Sequence, residues 1–303
     1  MSASTSPGLI TRAQSGFFTV RTDSGAVTCQ LRGRLKKGRR VGDIAAVGDR
    51  VEITQSSDGT GMIESVEARE RALVRLDPRP RGVYQQVILA NPDQVLFVFA
   101  CAHPEPRMRM LDRYLVIAEK QGIPALIVAN KIDLIEADRA RELFGHYPAL
   151  GYPVIYTSVK EGRGLDELRD CLKGRLSGLA GPSGVGKSSL LNAIQPGLGQ
   201  SVREVSAAVN KGKHTTVVRE LIPLDEGGFV ADTPGMRSLA LWDTEPEELD
   251  GYFPELAPLV AHCPFSDCTH THEPGCAVRT AVEAGTVHPA RYDSYLRLRG
   301  GKA

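Results

Sequence analysis

The stretch "GPSGVGKSSL", residues 181–190, decides the fold, because it fits G-x-x-x-x-G-K-[ST] at every position. Glycines at Gly181, Gly184 and Gly186 let the backbone curl until its N–H groups point inward at phosphate oxygens. The predicted cradle comprises Gly181, Ser183, Gly184, Val185, Gly186, Lys187, Ser188 and Ser189. A helix beginning near Lys187 adds the positive end of its dipole. Lys187 is then placed to reach the β- and γ-phosphates, and the Ser188 hydroxyl to ligate Mg²⁺. A chance Gly-rich turn would lack the strand before this loop and the apolar helix after it.

The phosphate loop does not choose between ATP and GTP; "NKIDL" at 130–134 does. It follows the apolar run "PALIVAN", a buried strand in pattern. Asp133 can accept from the N1–H and 2-amino groups of guanine, donors that adenine lacks. Asn130 can bond another base edge and brace the neighbouring loop, and the stem of Lys131 is suited to lie along the ring face. A site built on such bonds rejects the wrong base by roughly 10⁴-fold or more. "TSVKEG" (157–162) follows another strand, and Ser158 with Lys160 would close over the base. "DTPG" (232–235) ends a strand, with Asp232 suited to hold Mg²⁺ through water and Gly235 to bond the γ-phosphate.

The order is unusual. A GTPase ordinarily runs phosphate loop, switch Thr, DxxG, NKxD and then the Ser loop, whereas here NKID and TSVK come first. The cyclic order is intact and only the cut point has moved. Folds whose original termini lie close together tolerate such a cut. These motifs therefore predict one nucleotide site on a circularly permuted α/β domain. The permutation also joins DTPG by a short connection to the C-terminal segment, so ordering of that loop by GTP would move the tail.

The 303 residues suit two or three domains. Residues 1–72 contain "FFTVRT", "AVTCQL", "DRVEIT" and "GMIESVEA", short alternating runs divided by turn residues, and predict an OB-fold β-barrel. The run "RGRLKKGRR" (32–40), six basic residues without an acid, falls in or beside a barrel loop and suits either a solvated, disordered charge run or a contact with RNA phosphates. Residues 73–241 alternate strand and helix: "QVLFVFA", "RMRMLDRYLVIAEKQG", "YPVIYTS", the helix "GLDELRDCLKGRL", then the phosphate loop. Residues 242–303 hold too little apolar material for an independent core and read as a mostly helical segment stapled by metal. Net charge is +1, and no apolar run approaches the length of a membrane span. The start "MSASTSPGLITRAQ" lacks a signal-peptide layout, so the expectation is a cytoplasmic, monomeric protein. Cys29, Cys101 and Cys171 sit in apolar surroundings and read as plain buried thiols.

The tail carries "CPFSDCTHTHEPGC", which places Cys263, Cys268, His270 and Cys276 in C-x₄-C-x-H-x₅-C spacing. Three thiolates and an imidazole suit tetrahedral Zn²⁺ in a closed, structural site. His272 remains an alternative to His270 at this level. In "RYDSYLRLRGGK" (291–302), Arg291, Arg297 and Arg299 suit either an rRNA contact or a solvated helix face.

Permuted motifs, an N-terminal barrel and a Cys/His tail together resemble the ribosome small-subunit-dependent GTPase family, RsgA (also called YjeQ or EngC). The resemblance covers nearly the whole chain, and the Cys/His spacing matches the family's. It implies a GTPase of late small-subunit maturation that contacts rRNA near the decoding region. It further implies release of assembly factors such as ribosome-binding factor A, with hydrolysis stimulated by the subunit. Where many GTPases place a catalytic Gln after DxxG, this chain has Met236, which cannot orient water. The resemblance makes His214, in "NKGKHTT" (210–216), the candidate for that role, with Thr215 or Thr216 as the switch Thr on Mg²⁺. A nucleotide-independent RNA-binding module and an ATP-dependent small-molecule kinase are the competing classes. The complete NKID and phosphate loop argue against the first, and NKID with the zinc tail against the second.

Overall fold

The computed structural model describes residues 5–37, 42–76, 84–199, 219–232 and 244–301. His214, Thr215, Thr216, Gly235 and Met236 lie outside the described residues, as do Arg39 and Arg40 of the basic run.

Strands β1 (Ser6–Gln14), β2 (Phe17–Thr22), β3 (Gly25–Leu31), β4 (Arg50–Gln55) and β5 (Thr60–Val66) pair in the order 1-2-3-5-4. β4 returns to β1, so the barrel closes. Every pairing within it is antiparallel except β3 with β5. Inward positions carry Ile10, Phe18, Val20, Val27, Val51, Ile53 and Ile63, all buried. The alternation that marks the other four strands is broken in β1. It opens on Ser-Pro-Gly and shifts register between Ile10 and Arg12, and a bulge of that kind hides period two. Arg32 and Arg34, at the start of the basic run, converge on Glu64, with nitrogen–oxygen separations of 2.6 and 3.3 Å. They leave their guanidinium edges exposed, while Lys36 and Lys37 are exposed in the turn beyond.

A hairpin of β6 (Ala72–Leu76) and β7 (Gln85–Ala90) leads to β8 (Gln94–Ala100), α1 (Met108–Lys120), β9 (Ala125–Asn130) and α2 (Ala137–Phe144). Next come β10 (Val154–Thr157), α3 (Leu165–Leu172), β11 (Leu176–Ala180) and α4 (Lys187–Ile194). β12 (Arg219–Glu220), β13 (Ile222–Pro223) and β14 (Phe229–Asp232) follow. The sheet order is 10-9-8-11-14-13, parallel except at β13. β8 is buried on both faces, as parallel strands under helices must be. Its Val95, Phe97 and Phe99 pack with α1 and α2, and its Leu96 and Val98 pack with α3 and α4. The helix read through Leu176 ends at Leu172, because Gly174 takes φ 69° and Leu176 already belongs to β11. β12 leaves the α/β domain and pairs with β1, adding a sixth strand to the barrel sheet.

After the sheet come α5 (Ala257–Val260), α6 (Ala277–Glu283) and α7 (Pro289–Arg299). Their core holds Leu249, Phe253, Leu256, Val278 and Tyr295, and it takes Val116 from α1. The tail thus completes its core on the α/β domain. Beside that contact Arg291 is fully buried, which removes it from any RNA-facing surface. Its guanidinium donates to Asp112 Oδ1 at 2.8 Å and to Glu255 Oε1 at 2.6 Å, and lies over the Phe253 ring at 4.6 Å. Burial opposes its charge, yet Asp112 and Glu255 hold it above the ordinary arginine range. The Tyr147 and Ser294 hydroxyls also donate to Asp112. Removing one member of a buried ion pair typically costs about 3–5 kcal/mol. Arg291→Ala is therefore expected to lower stability by that order in urea unfolding and to strip hydrogen-exchange protection from α1 and α7 together. An unchanged midpoint would contradict the bolted arrangement.

Candidate nucleotide and metal sites

Open parallel sheets bind ligands beyond the carboxyl ends of their strands. Here β9 ends at Asn130, β10 at Thr157, β11 at Ala180 and β14 at Asp232, so the predicted motifs emerge from one sheet edge. Asn130 is in register with Thr157, and Asp232 with Leu179, just before the phosphate loop.

The two halves of the reversed order touch directly. Asn130 Nδ2 donates to the Val185 carbonyl at 2.8 Å, and the buried Thr157 hydroxyl donates to Asn130 Oδ1 at 3.0 Å. The Thr bond orients the amide, and the amide fixes the loop. Gly186 sits at φ 99°, and a Cβ there would lie 2.3 Å from Asn130 Nδ2. Gly181 is equally constrained: at φ 152°, a Cβ would meet the Val98 carbonyl at 2.1 Å. Lys131 takes a left-handed conformation and its ammonium donates to the Gly184 carbonyl at 2.7 Å and to the His103 carbonyl. Lys187 Nζ folds back on the Gly181 and Pro182 carbonyls, at 2.8 and 2.9 Å. Ser183 and Ser189 are exposed, Ser188 half-buried and Val185 buried.

Asp133 and Ser158 also meet, the hydroxyl donating to Asp133 Oδ1 at 2.7 Å. Ser158 is itself held by a bridge to Arg163, and Lys160 is exposed in the turn between them. One carboxylate oxygen is thereby steadied while the turn keeps its shape. Burial, with the Asp133 charge adding to it, pushes the Cys101 thiol up to about 12, and burial raises Cys29 to about 11. Neither thiol is a nucleophile at neutral pH. Cys171 is half-buried, raised by burial, and donates weakly to Gln94.

In the tail, the ligand atoms of Cys263, Cys268, His270 and Cys276 all lie within 4.8 Å of one another. His270 Nδ1 is 3.5 Å from Cys263 Sγ and 3.4 Å from Cys276 Sγ. Tetrahedral bonds of about 2.0–2.3 Å separate donors by roughly 3.3–3.8 Å, so the set fits a zinc-like cation. His270 Nε2 points at Asp250 Oδ2, 3.0 Å away, the orienting contact that ligating histidines usually have. His272 turns its Nδ1 to the Thr271 hydroxyl and stands outside the group. Without a cation, burial pushes the Cys268 thiol up to about 12; a bound metal would favour the thiolate. Tyr292 and Tyr295 of α7 donate to the carbonyls of His270 and Thr269, which seats the loop. Sequence spacing did not reveal Thr157's bond to Asn130 or Asp250's to His270. Thr157 at least sits inside a recognised motif, whereas nothing local marks Asp250.

The RsgA GTPase family profile matches residues 66–242, and the RsgA N-terminal domain profile matches residues 7–63. The chain belongs to the RsgA GTPase family. The family is one of GTP hydrolases, and membership implies that this chain takes GTP with Mg²⁺. Among curated relatives, the small ribosomal subunit biogenesis GTPase RsgA of Gemmatimonas aurantiaca is 49% identical over 296 residues, covering 96% of each chain. The crystal structure of YjeQ from Thermotoga maritima superposes with a TM-score of 0.81 at 38% identity, covering 99% of both chains. YloQ, a circularly permuted GTPase, superposes at 0.75 with 31% identity, covering 99% of this chain and 95% of that one.

Gly186→Ala tests the contact between the two motifs. A strained backbone conformation costs about 1–3 kcal/mol, and the new methyl displaces the Asn130 amide. Guanine nucleotide affinity is expected to fall about tenfold or more, with the melting temperature lowered by a few degrees. Fluorescent GDP titration reads this, and an unaltered Kd would show that Asn130 and the loop are independent.

Proposed function

We propose that this protein binds the small ribosomal subunit and its rRNA, and hydrolyses GTP there to promote late subunit maturation. The Asn130–Val185 bond carries the reading, because it makes the base-reading and phosphate-binding motifs one site. Asp133 would read the guanine edge, with Ser158 and Lys160 closing over it and Lys131 flanking the ring. The N–H groups of Gly181 to Ser189 would surround the phosphates. Lys187 would exchange its loop carbonyls for β- and γ-oxygens, and Ser188 and Asp232 would hold Mg²⁺. Asp232 is supported by its place at the end of β14, next to the strand that feeds the phosphate loop. His214 would place the attacking water, Thr215 or Thr216 would close on Mg²⁺, and Gly235 would meet the γ-phosphate.

The subunit partner is supported by the name of the Gemmatimonas aurantiaca relative and by the exposed edge of the basic run on the barrel. Release of assembly factors such as ribosome-binding factor A follows from the family resemblance. Segments 1–72, 73–241 and 242–303 would serve as RNA-binding barrel, GTPase and zinc-binding tail. No described helix is long and apolar enough to cross a membrane, in keeping with cytoplasmic action. The protein would act as a monomer.

GTP turnover measured with and without purified small subunits tests the function. Slow turnover alone and strong acceleration by subunits are expected, with His214→Ala removing the acceleration. Asp133→Asn loses two bonds to a charged acceptor, and GTP affinity should drop on the order of 10²–10⁴-fold. No acceleration by subunits, or equal competition by ATP, would defeat the proposal.

Zinc is the cation the donor set favours. Atomic absorption should find one equivalent per chain. Strong chelation should destabilise the tail, seen as rapid proteolysis after residue 242, while nucleotide binding persists. A metal-free chain with a fully protected tail would remove zinc from its structure.

A further inference from the structure

The chain that leaves β8 threads between the two halves of the sheet-edge site and touches both. The Val98 carbonyl faces Gly181, 2.1 Å from where a Cβ there would stand. The Cys101 N–H donates to the Asn130 carbonyl at 2.8 Å. The His103 carbonyl receives the Lys131 ammonium. Pro104 Cδ follows, 3.7 Å from the place of a Cβ on Gly184. The turn after β8 therefore borders the glycine-rich loop and the NKID segment at once.

Two non-glycine residues in the left-handed region meet at this turn, Lys131 at φ 62° and His103 at φ 46°. They are the donor and the acceptor of one hydrogen bond. Such conformations cost free energy, persist only where the surroundings over-determine them, and cluster at ligand sites. With the Gly184 carbonyl as second acceptor at 2.7 Å, the ammonium is held at two points. A lysine side chain is otherwise among the most flexible, and ordering it in advance removes that cost from binding.

We propose that His103 is a positioning residue for guanine binding, whose left-handed backbone presents the carbonyl that holds the Lys131 stem in place to cover the ring face. The inference rests on the reading of this sheet edge as a guanine nucleotide site. It adds a residue that acts through Lys131 rather than by touching the nucleotide. The His103 side chain is exposed, so its contribution is the backbone conformation it permits. Asn and Gly enter the left-handed region readily, whereas a β-branched residue is an outlier there.

Displacement of a fluorescent guanosine diphosphate from the full-length protein, by GDP and by inosine diphosphate, tests this. His103→Val is expected to weaken both about tenfold, the size of one lost hydrogen bond to a charged group. Their ratio should hold, because the ring face is common to both bases and Asp133 still reads the 2-amino group that inosine lacks. His103→Asn should retain most of the affinity. In a Lys131→Ala background, His103→Val should add no more than about a twofold loss, since both changes remove the same bond. Should His103→Val not fold, His103→Ala carries the test with a loss of about threefold. Unchanged affinity in the Val or Ala variant, an additive loss in the Lys131→Ala background, a lost preference for GDP, or a weak His103→Asn overturns the positioning role. Each of these leaves the guanine site standing. Absence of GDP binding by the wild type overturns both.

Discussion

The hydrogen bond from the Asn130 amide to the Val185 carbonyl is the contact on which the rest depends. It joins residues that the chain order separates, and it does so at a buried point where a lost partner costs the full desolvation of an amide. Each neighbour protects it. Thr157 decides which way the amide faces, and Gly186 keeps its space clear. Lys131 adds a second tie to the same loop through Gly184. The NKID segment and the glycine-rich loop are thus mechanically one unit.

That contact also explains why the rearranged order is harmless. β8, β9, β10, β11 and β14 lie side by side in parallel, and the residues at their carboxyl ends meet whichever loop the chain was opened at. Both faces of the sheet are covered by helices, so its stability comes from burial that does not register the cut. Moving the termini instead freed two sheet-edge connections for new duties. One end carries the barrel and the other the Cys/His tail.

The readable and unreadable parts divide by distance along the chain. The phosphate loop, NKID and the Cys/His spacing are local patterns whose chemistry is set within a dozen or so residues, and the structure gathers each as one group. Local strand alternation likewise marks β2 to β5, and misses β1, where Pro7, Gly8 and the bulge blur it. Arg291 is the clearest limit. In a run with Arg297 and Arg299 it looks like one more surface cation. Its partner Asp112 lies 179 positions away, and no window contains both. Arg299 is likewise taken up, by the Pro246 carbonyl and Glu247, and Arg297 pairs with Asp293 on its own helix.

The anchored flanks constrain how GTP can be felt elsewhere. Residues just after the "NKGKHTT" motif form β12, and β12 is hydrogen-bonded to β1 of the barrel through Arg12 and Ala13. Residues after DTPG enter the tail, whose Arg291 is bonded to α1. β1 is closed into the barrel by β4, so β12 is part of the same sheet as the barrel. The tail is different. For it to swing away, the Arg291–Asp112 pair must break in a buried site, at a cost of several kcal/mol. Nucleotide-driven motion of the tail alone is therefore the expensive route. Motion shared by α1 and the tail keeps the Arg291–Asp112 pair intact.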